Sequence, residues 1–452
     1  MQAPSNLAAG PDFTATLLRR LAARQATIGV VGLGYVGLPL AVGFAEAGHT
    51  VVGFDVDASK AALLSAGQSH IPDVPAEEVA RLVAAGRFSA TTDDAVLAGC
   101  DAVAICVPTP LNKTRDPDLS FVVSAVERVA TRLRKGQLII LESTTWPGTT
   151  VEVVGPMLER TGLVLGVDFH LAFSPERIDP GNAVFQVGNT PKVVGGVTPA
   201  CTDAAEALYA CVTTRVVRVS SPTAAEMVKI LENTFRAVNI GLVNETAVIA
   251  NKLGLDIWEI IEAAATKPFG FMPFWPGPGL GGHCIPIDPH YLSWKLRAMN
   301  YRTRFIEVAD DINNAMPNYV VERIALALND DERALKGSRV LVLGAAYKRD
   351  ITDWRESPAI PVIEGLLSRG AKVDYQDDFV PQIELHGHDF VGRTLQSVPL
   401  DYARLGEWDC VVIVTDHRYF DRQKLLKGAR RIVDTRNLLG ELGKGHPRVT
   451  RL

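Results

Sequence analysis

Short apolar runs alternate with helical patterns over the first 215 residues of the chain. Each run stops at polar or turn residues, as in "DAVAICVPTP" and "QLIILESTTWPGTT". This alternation predicts a parallel sheet, whose carboxyl edge is where ligands bind. Thr109, Glu142, Thr144 and Glu176 occupy such positions, and we expect them to face a cofactor or a substrate. Taken singly, each of them also fits a turn or cap residue.

The first strand runs into a glycine-rich turn, a helical pattern and a second strand that ends at Asp55. Gly32 permits a tight turn, Gly34 lets the backbone approach a pyrophosphate, and Gly37 lets helix and strand pack closely. A carboxylate at Asp55 would accept hydrogen bonds from ribose hydroxyls and repel a 2′-phosphate. The unit therefore predicts a Rossmann-like dinucleotide site that prefers NAD to NADP.

The period of the pattern changes in the middle of the chain. From Ser221, a plausible N-cap, the sequence runs without a helix breaker to Gly254. Such a helix would be roughly 45–50 Å long, which suits a connector between domains or a dimer element. Lys229, Asn233 and Arg236 share one stripe, so a lysine and an amide either point into one cleft or form part of a solvated face.

A second strand, turn, helix and strand pattern begins near residue 338, and further apolar runs follow it. Two such assemblies predict two nucleotide-like ligands. In the second turn Gly344 is followed by "AAYKRD" instead of further glycines. A diphosphate there would need cationic side chains, and Lys348 and Arg355 are the candidates.

The chain is longer than one hydrophobic core usually serves, since it has 452 residues. The predicted fold class is α/β, with two Rossmann-like doubly wound domains joined by a long-helix central region. The expected parts are an N-terminal extension with one amphipathic helix (1–25), an NAD-binding domain (26–215), a central connector and dimerisation region (216–330) and a C-terminal Rossmann-like domain (331–452).

Composition and charge narrow the class of protein. The formal charge is −5 and there is no basic run, which argues against a nucleic-acid surface. No apolar stretch reaches the roughly 20 residues needed to cross a bilayer, and the start lacks a secretory signal. Six scattered cysteines without paired spacing indicate reduced thiols in the cytoplasm. Nine scattered histidines give no ligand spacing, so we expect no metal.

One cysteine lies in an unusual setting, "PGPGLGGHCIPIDPH", from Pro276 to His290. Four glycines and four prolines exclude a regular helix or strand there. The expected structure is a loop that brings the thiol of Cys284 close to a ligand. Burial as a small apolar residue instead suits the other cysteines that lie in or beside strand-like runs, which are Cys100, Cys106 and Cys410.

Six motifs now occur in order: "GLGYVGLP", "ESTTWPGTT", "FSPERIDPG", "EMVKILENTFRAVNIGLVNE", "GPGLGGHCIPIDP" and "LGAAYKRDITDWRESPA". By these motifs nearly the whole chain after residue 25 resembles the UDP-glucose/GDP-mannose dehydrogenase family. Within the family, "KPFGF" before the glycines resembles the members that oxidise UDP-N-acetylglucosamine. The UDP-N-acetylmannosamine members usually carry a basic "HPRVN"-type segment there, and UDP-glucose members usually carry GGSC instead of GGHC.

The resemblance implies an NAD-dependent, four-electron oxidation of a sugar C6 hydroxyl to a carboxylate. Cys284 matches the nucleophile that forms a thiohemiacetal and then a thioester. Lys229 and Asn233 match the groups that stabilise negative charge on oxygen. Asp288 matches the residue that helps hold Lys229 and the catalytic water.

Two further roles come from the same resemblance. Glu176 matches the general base for thioester hydrolysis, and Thr144 matches the threonine near the nicotinamide and the water. His283 is adjacent to the thiol, but neighbouring side chains of an extended loop point apart, so we do not expect it to be catalytic.

The expected NAD contacts are Gly32, Gly34, Tyr35, Val36, Gly37, Asp55, Lys60, Thr109 and Thr144. The expected contacts of a UDP-sugar, to which the C-terminal domain is assigned, are Glu176, Arg177, Lys229, Asn233, Gly281, Lys348 and Arg355. By family analogy the chain forms a homodimer or a higher homo-oligomer and feeds surface polysaccharide synthesis. Two alternatives stay open: UDP-glucose or UDP-N-acetylmannosamine as the substrate, and a sensor that binds NAD and nucleotide sugar without turnover.

Overall fold

The computed structural model describes residues 12–112, 116–179, 182 and 184–452. The chain forms two compact units. The first contains the chain through Glu232 together with His290–Met299, and the second contains Asn233–Pro289 and Asn300–Leu452. The predicted four-part division at residues 25, 215 and 330 stays a prediction.

The first unit is a layered α/β structure. Its strands are β1 (Thr27–Val31), β2 (Thr50–Phe54), β3 (Phe88–Thr91), β4 (Ala102–Ile105), β5 (Leu138–Leu141), β6 (His170–Phe173), β7 (Lys192–Gly196) and β8 (Val216–Arg218). Its helices are α1 (Phe13–Ala22), α2 (Gly37–Glu46), α3 (Ala58–Ser65), α4 (Ala76–Ala84), α5 (Ser120–Arg132), α6 (Gly155–Glu159) and α7 (Pro199–Tyr209).

These eight strands form one sheet in the order β3-β2-β1-β4-β5-β6-β7-β8. The pairs from β3 to β6 are parallel, whereas β7 runs antiparallel to β6. Alternate residues of the central strands enter different core clusters: Ile28 and Val30 lie in one, and Val31 lies in the other. Both faces of the sheet are therefore covered by apolar side chains, as the continuous apolar strands predict.

Helix α1 belongs to this core. Leu17 and Leu21 are buried in the same cluster as Ile28, and the Arg20 guanidinium donates to Asp101 at 2.8 Å. The amphipathic helix predicted near the N-terminus is confirmed at Phe13–Ala22.

The second unit holds the remaining strands and most of the long helices. Its strands are β9 (Arg339–Leu343), β10 (Lys372–Gln376), β11 (Gln382–Glu384), β12 (Thr394–Gln396), β13 (Cys410–Ile413), β14 (Ile432–Asp434) and β15 (Val449–Arg451). The helices that lie wholly or partly in it are α8 (Pro222–Lys252), α9 (Ile257–Ala265), α10 (Asp288–Arg297), α11 (Arg304–Asn329), α12 (Ala359–Ser368) and α13 (Arg422–Gly428). Five of these strands form a parallel sheet in the order β10-β9-β13-β14-β15, which is the second Rossmann-like sheet of the chain. Strands β11 and β12 form an antiparallel pair.

Helix α8 forms as the sequence predicts. Ser221 is its N-cap, because the Ser221 hydroxyl oxygen accepts a hydrogen bond from the Ala224 N–H at 3.1 Å. The helix has 31 residues, which corresponds to a length of about 46 Å. Its predicted role as a connector or dimer element stays a prediction. Among the described residues, no helix is both long and apolar enough to cross a membrane.

Candidate active site

The glycine turn between β1 and α2 leaves room for a dinucleotide. Gly32 has φ +91°, and a Cβ there would lie 2.9 Å from the Cys106 carbonyl oxygen. A Cβ on Gly37 would lie 1.8 Å from the Gly32 carbonyl oxygen. A Cβ on Gly34, in contrast, would meet no atom within 4 Å. Gly32 and Gly37 are therefore required by the turn itself, whereas Gly34 keeps space open on its surface, which fits the pyrophosphate of NAD.

Asp55 lies at the carboxyl end of β2, where the ribose of a dinucleotide is recognised. Its carboxylate accepts hydrogen bonds from the Leu33 N–H at 2.8 Å and from the Asp57 N–H at 3.0 Å. Lys60 lies in the first turn of α3, with its Nζ 3.9 Å from Asp57. Asp55 thus links the glycine turn to the end of β2. The other predicted contacts, Tyr35 and Val36, lie in the turn that leads into α2.

The carboxyl edge of the first sheet gathers the predicted strand-end residues. Thr109 follows β4, Glu142 and Thr144 follow β5, and Glu176 follows β6, and these strands are neighbours. The Thr109 carbonyl accepts a hydrogen bond from the Tyr291 hydroxyl. Their shared edge is therefore confirmed by the topology, although their contacts with ligands stay predictions.

Glu142 corrects one expectation, because it does not face a ligand site. Its side chain is fully buried, and its two oxygens are bound by protein groups: Oε2 accepts from the Lys192 ammonium at 2.5 Å and Oε1 from the Tyr209 hydroxyl. Burial raises the pKa of Glu142, whereas Lys192 and Tyr209 act in the opposite direction. The sequence indicated that Glu142 follows a strand, but it did not indicate that the partners of its carboxylate lie on β7 and α7.

Glu176 and Lys229 meet in the first unit. Lys229 extends from α8, and its Nζ donates to the Glu176 carbonyl oxygen at 2.5 Å. Both side chains are buried. The Ile178 N–H donates to the Glu176 carboxylate. Arg177, a predicted substrate contact, donates to the Pro191 carbonyl oxygen at 2.9 Å and to Glu232.

The thiol of Cys284 is exposed on a turn in the second unit. The Cys284 carbonyl oxygen accepts hydrogen bonds from the N–H groups of Ile287, at 3.2 Å, and Asp288, at 2.8 Å. Asp288 is buried at the start of α10, where its carboxylate accepts from the Asn233 amide. The Asn233 oxygen accepts in turn from Arg236. The structure therefore ties the turn that presents the thiol to the predicted amide on α8.

The glycines before Cys284 pack against the second glycine turn. A Cβ on Gly281 would lie 2.7 Å from the Tyr347 Cβ, and a Cβ on Gly282 would lie 2.8 Å from the Tyr347 ring. The His283 Nε2 lies 3.6 Å from the Asp353 carboxylate. Asp353 also accepts two hydrogen bonds from the Arg355 guanidinium, at 2.9 and 2.8 Å. The loop that carries the thiol is thus shaped by the turn that carries Lys348 and Arg355.

Sequence reasoning missed two residues, the buried Glu226 and the half-buried Arg436. Glu226 on α8 accepts from the N–H groups of Gly148, at 2.6 Å, and Thr150, at 2.8 Å, and from the Thr150 hydroxyl. Burial raises the pKa of Glu226 to about 7. The feature of the sequence that could have pointed to Glu226 is its position in "EMVKILEN", three residues before Lys229. Arg436, after β14, lies so close to Gly277 that a Cβ there would be 2.4 Å from a guanidinium nitrogen.

Two Rossmann-like sheets, a glycine turn that fits NAD and an exposed thiol on a glycine-rich loop define an NAD-dependent oxidoreductase that uses a second nucleotide as substrate. Family models match along the chain: the NAD binding domain at residues 26–213, the central domain at 223–315 and the UDP binding domain at 341–441. The chain belongs to the UDP-glucose/GDP-mannose dehydrogenase family, and it is an NAD-dependent UDP-sugar dehydrogenase. The predicted family, fold class and cofactor are confirmed. In the described ranges, no group of three or more His, Cys, Asp or Glu residues is placed to hold a metal ion.

Similar proteins act on more than one sugar. The chain is 36% identical to the UDP-N-acetyl-D-glucosamine 6-dehydrogenase of Pseudomonas aeruginosa, over 92% of this chain and 97% of that protein. It is 35% identical to the UDP-N-acetyl-D-mannosamine dehydrogenase of Pyrococcus horikoshii, over 92% and 96%. A solved structure of the UDP-D-ManNAc dehydrogenase of that organism has a TM-score of 0.85 at 34% identity, covering 94% of this chain and 98% of the other.

Proposed function

We propose that the chain oxidises UDP-N-acetylglucosamine to UDP-N-acetylglucosaminuronate, through covalent intermediates on Cys284. The observation that carries this proposal is the exposed thiol on a turn that is anchored through Asp288 to Asn233. Relatives named for two N-acetylated sugars support the class of substrate, and the segment "KPFGF" favours the gluco sugar over the manno sugar.

The residues of the chain divide the reaction into steps. NAD, when bound, supplies the chemistry of hydride acceptance, twice for each sugar. The Cys284 thiolate adds to the C6 aldehyde and forms a C–S bond, and oxidation of this thiohemiacetal gives a thioester. Water then attacks the carbonyl carbon while Glu176 accepts its proton. The C–S bond breaks, the thiolate is restored, and the carboxylate is released.

Lys229 and Asn233 are assigned to the negative charge that develops on oxygen in each tetrahedral species. Loss of one such donor typically raises the barrier by about 3–4 kcal/mol. Both side chains are buried, so their donors are shielded from water and act in a medium of low dielectric constant. Thr144 is assigned to the nicotinamide side, on the loop after β5.

The UDP moiety is assigned to the second unit, where Gly281, Lys348 and Arg355 belong to loops in mutual contact. A homodimer is proposed because α8 exposes large apolar side chains, including Leu242 at 59% and Ile249 at 49%. The product suits surface polysaccharide synthesis by family analogy, and six thiols support a reducing compartment such as the cytoplasm.

The test measures NADH formed by the purified protein with UDP-N-acetylglucosamine, UDP-N-acetylmannosamine and UDP-glucose in parallel. We expect two NADH for each molecule of UDP-N-acetylglucosamine and the highest rate with that sugar. Cys284→Ser should no longer release the acid. Cys211→Ser is the control, because Cys211 is the other thiol that is not buried.

Four results would contradict the proposal in whole or in part. Release of free aldehyde with one NADH per sugar would show that no thioester forms. Full activity of Cys284→Ser would show that Cys284 is not the nucleophile. Binding of NAD and UDP-sugar without any NADH would favour the sensor. A higher rate with one of the other two sugars would reassign the substrate while keeping the chemistry.

A further inference from the structure

The backbone is held by a lysine on each side of Glu176. The Lys229 Nζ donates to the Glu176 carbonyl oxygen at 2.5 Å. The Lys192 Nζ donates to the Pro175 carbonyl oxygen at 3.2 Å. That carbonyl belongs to the peptide group that joins Pro175 to Glu176. The peptide groups before and after Glu176 are therefore each fixed by an ammonium group.

Lys192 has a buried carboxylate as its partner. Its side chain is 11% exposed, and the Glu142 carboxylate, 2.5 Å away, is fully buried. Replacing a buried ion pair by apolar residues of similar volume is often neutral or stabilising, because burial of the two charges opposes their attraction. The stability of the fold is therefore a weak reason for this pair, and its position beside Glu176 indicates a role in the reaction.

We propose that Lys192 is a positioning residue for Glu176: its ammonium fixes the Pro175–Glu176 peptide, and Glu142 holds that ammonium in place. The inference rests on the proposed function, in which Glu176 is the general base of thioester hydrolysis. A general base must lie within hydrogen-bond reach of the water whose proton it accepts.

Other titratable groups also lie near the Lys192–Glu142 pair. Cys106 and Tyr209 also lie against Glu142 and Lys192, but burial raises the pKa of each well above its ordinary value, so both stay neutral. Burial alone would lower the pKa of Lys192, but Glu142 and Glu176 outweigh it and keep the amine protonated. Lys229 is a further cation beside Glu176, in contact with its carbonyl oxygen.

The two partners should therefore act in the same direction. Lys192→Met removes the donor to the Pro175 carbonyl oxygen. Glu142→Gln removes the carboxylate that holds the amine in place and keeps it protonated. Both variants should slow thioester hydrolysis, the step assigned to Glu176, whereas a merely structural role would slow the hydride transfers as well.

The experiment follows the acyl-enzyme directly. Wild type, Lys192→Met, Lys192→Arg and Glu142→Gln are mixed with NAD and the UDP-sugar that gives the highest NADH rate, quenched with acid at successive times, and examined by intact mass. The decay of the adduct gives the hydrolysis rate. At pH 7 we expect Lys192→Met to accumulate the adduct and to hydrolyse it about ten-fold more slowly, with the first hydride transfer little changed. Lys192→Arg keeps a cationic donor and should retain most of the hydrolysis rate.

The outcomes separate the two hypotheses. If wild type forms no adduct and does not yield two NADH, the proposed function fails and this inference fails with it. If wild type behaves as proposed but Lys192→Met hydrolyses the adduct as fast as wild type, or slows the first hydride transfer to the same extent, the inference alone is refuted. Should Lys192→Met fail to fold by circular dichroism, the same decision comes from Lys192→Arg and Glu142→Gln, since only the latter should slow hydrolysis of the adduct.

Discussion

Replacing Glu226 by glutamine tests a buried carboxyl group whose charge state depends on the fold. The pKa of Glu226 is raised from 4.5 to about 7, first by burial, against the lowering effect of its hydrogen bonds from Gly148 and Thr150. A group with a raised folded-state pKa contributes stability below its unfolded pKa, and this contribution is lost as the pH rises through the folded value. Glutamine keeps the size of the side chain but does not titrate.

The expected size of the effect follows from these two values. A pKa difference of about 2.5 units corresponds to about 3.4 kcal/mol at the low-pH limit, and to about 2.5 kcal/mol between pH 5 and pH 8. Wild type should therefore lose about that much stability relative to Glu226→Gln across this range. The comparison of wild type with Glu226→Gln cancels the pH-dependent stability that comes from groups present in both proteins. Such groups include His49 and His170, whose pKa values are lowered by burial.

Hydrogen exchange of the amides in β4 and β5 measures the opening free energy of the first unit. Exchange is followed at pH 5 and pH 8 and corrected for the chemical exchange rate at each pH. Glu152→Gln is the control, because Glu152 is a nearby but exposed carboxylate, 53% exposed, and should retain most of the pH dependence. Parallel pH profiles for wild type and Glu226→Gln would refute the reasoning.

Three further predictions concern glycines and the exposed face of α8. Gly37→Ala should abolish the folding of the first unit, seen by circular dichroism, because its Cβ would lie 1.8 Å from a carbonyl oxygen; Gly34→Ala should keep the melting temperature and raise the KM for NAD at least about ten-fold. Gly282→Ala, at φ +84° and against a tyrosine ring, should reduce NADH formation by about ten-fold, whereas Gly254→Ala, with a similar φ of +70° in open space, should retain it. Leu242→Asp should shift the mass in light scattering from dimer to monomer, and an unchanged mass would contradict the dimer proposal.

Local patterns predicted the elements that depend on neighbouring residues. The glycine spacing predicted the turn between β1 and α2, because Gly32 and Gly37 touch each other in that turn. Ser221 predicted the start of α8, since a cap acts within one helical turn. Glycines and prolines likewise predicted a loop at Cys284, and the residue lies outside helices and strands in the structure.

Contacts between distant segments could not be predicted in the same way. Glu142 meets Lys192 and Tyr209, which are 50 and 67 residues away in sequence. A short apolar run reads the same in either direction, so the sequence did not show that β7 runs antiparallel to β6. That reversal brings Lys192 beside the loop that carries Glu176, which is why the lysine pair around this residue emerged only from the structure.

Helix α8 also sets a limit on how the sequence can change in length. Glu226 holds the loop after β5, and Lys229 holds the loop after β6. The two side chains project from one side of the helix because they are three residues apart. Deleting a single residue between them would leave them about 200° apart around the helix axis, so one loop would lose its support. The loops on the outer surface can gain or lose residues, but this short segment must keep its length.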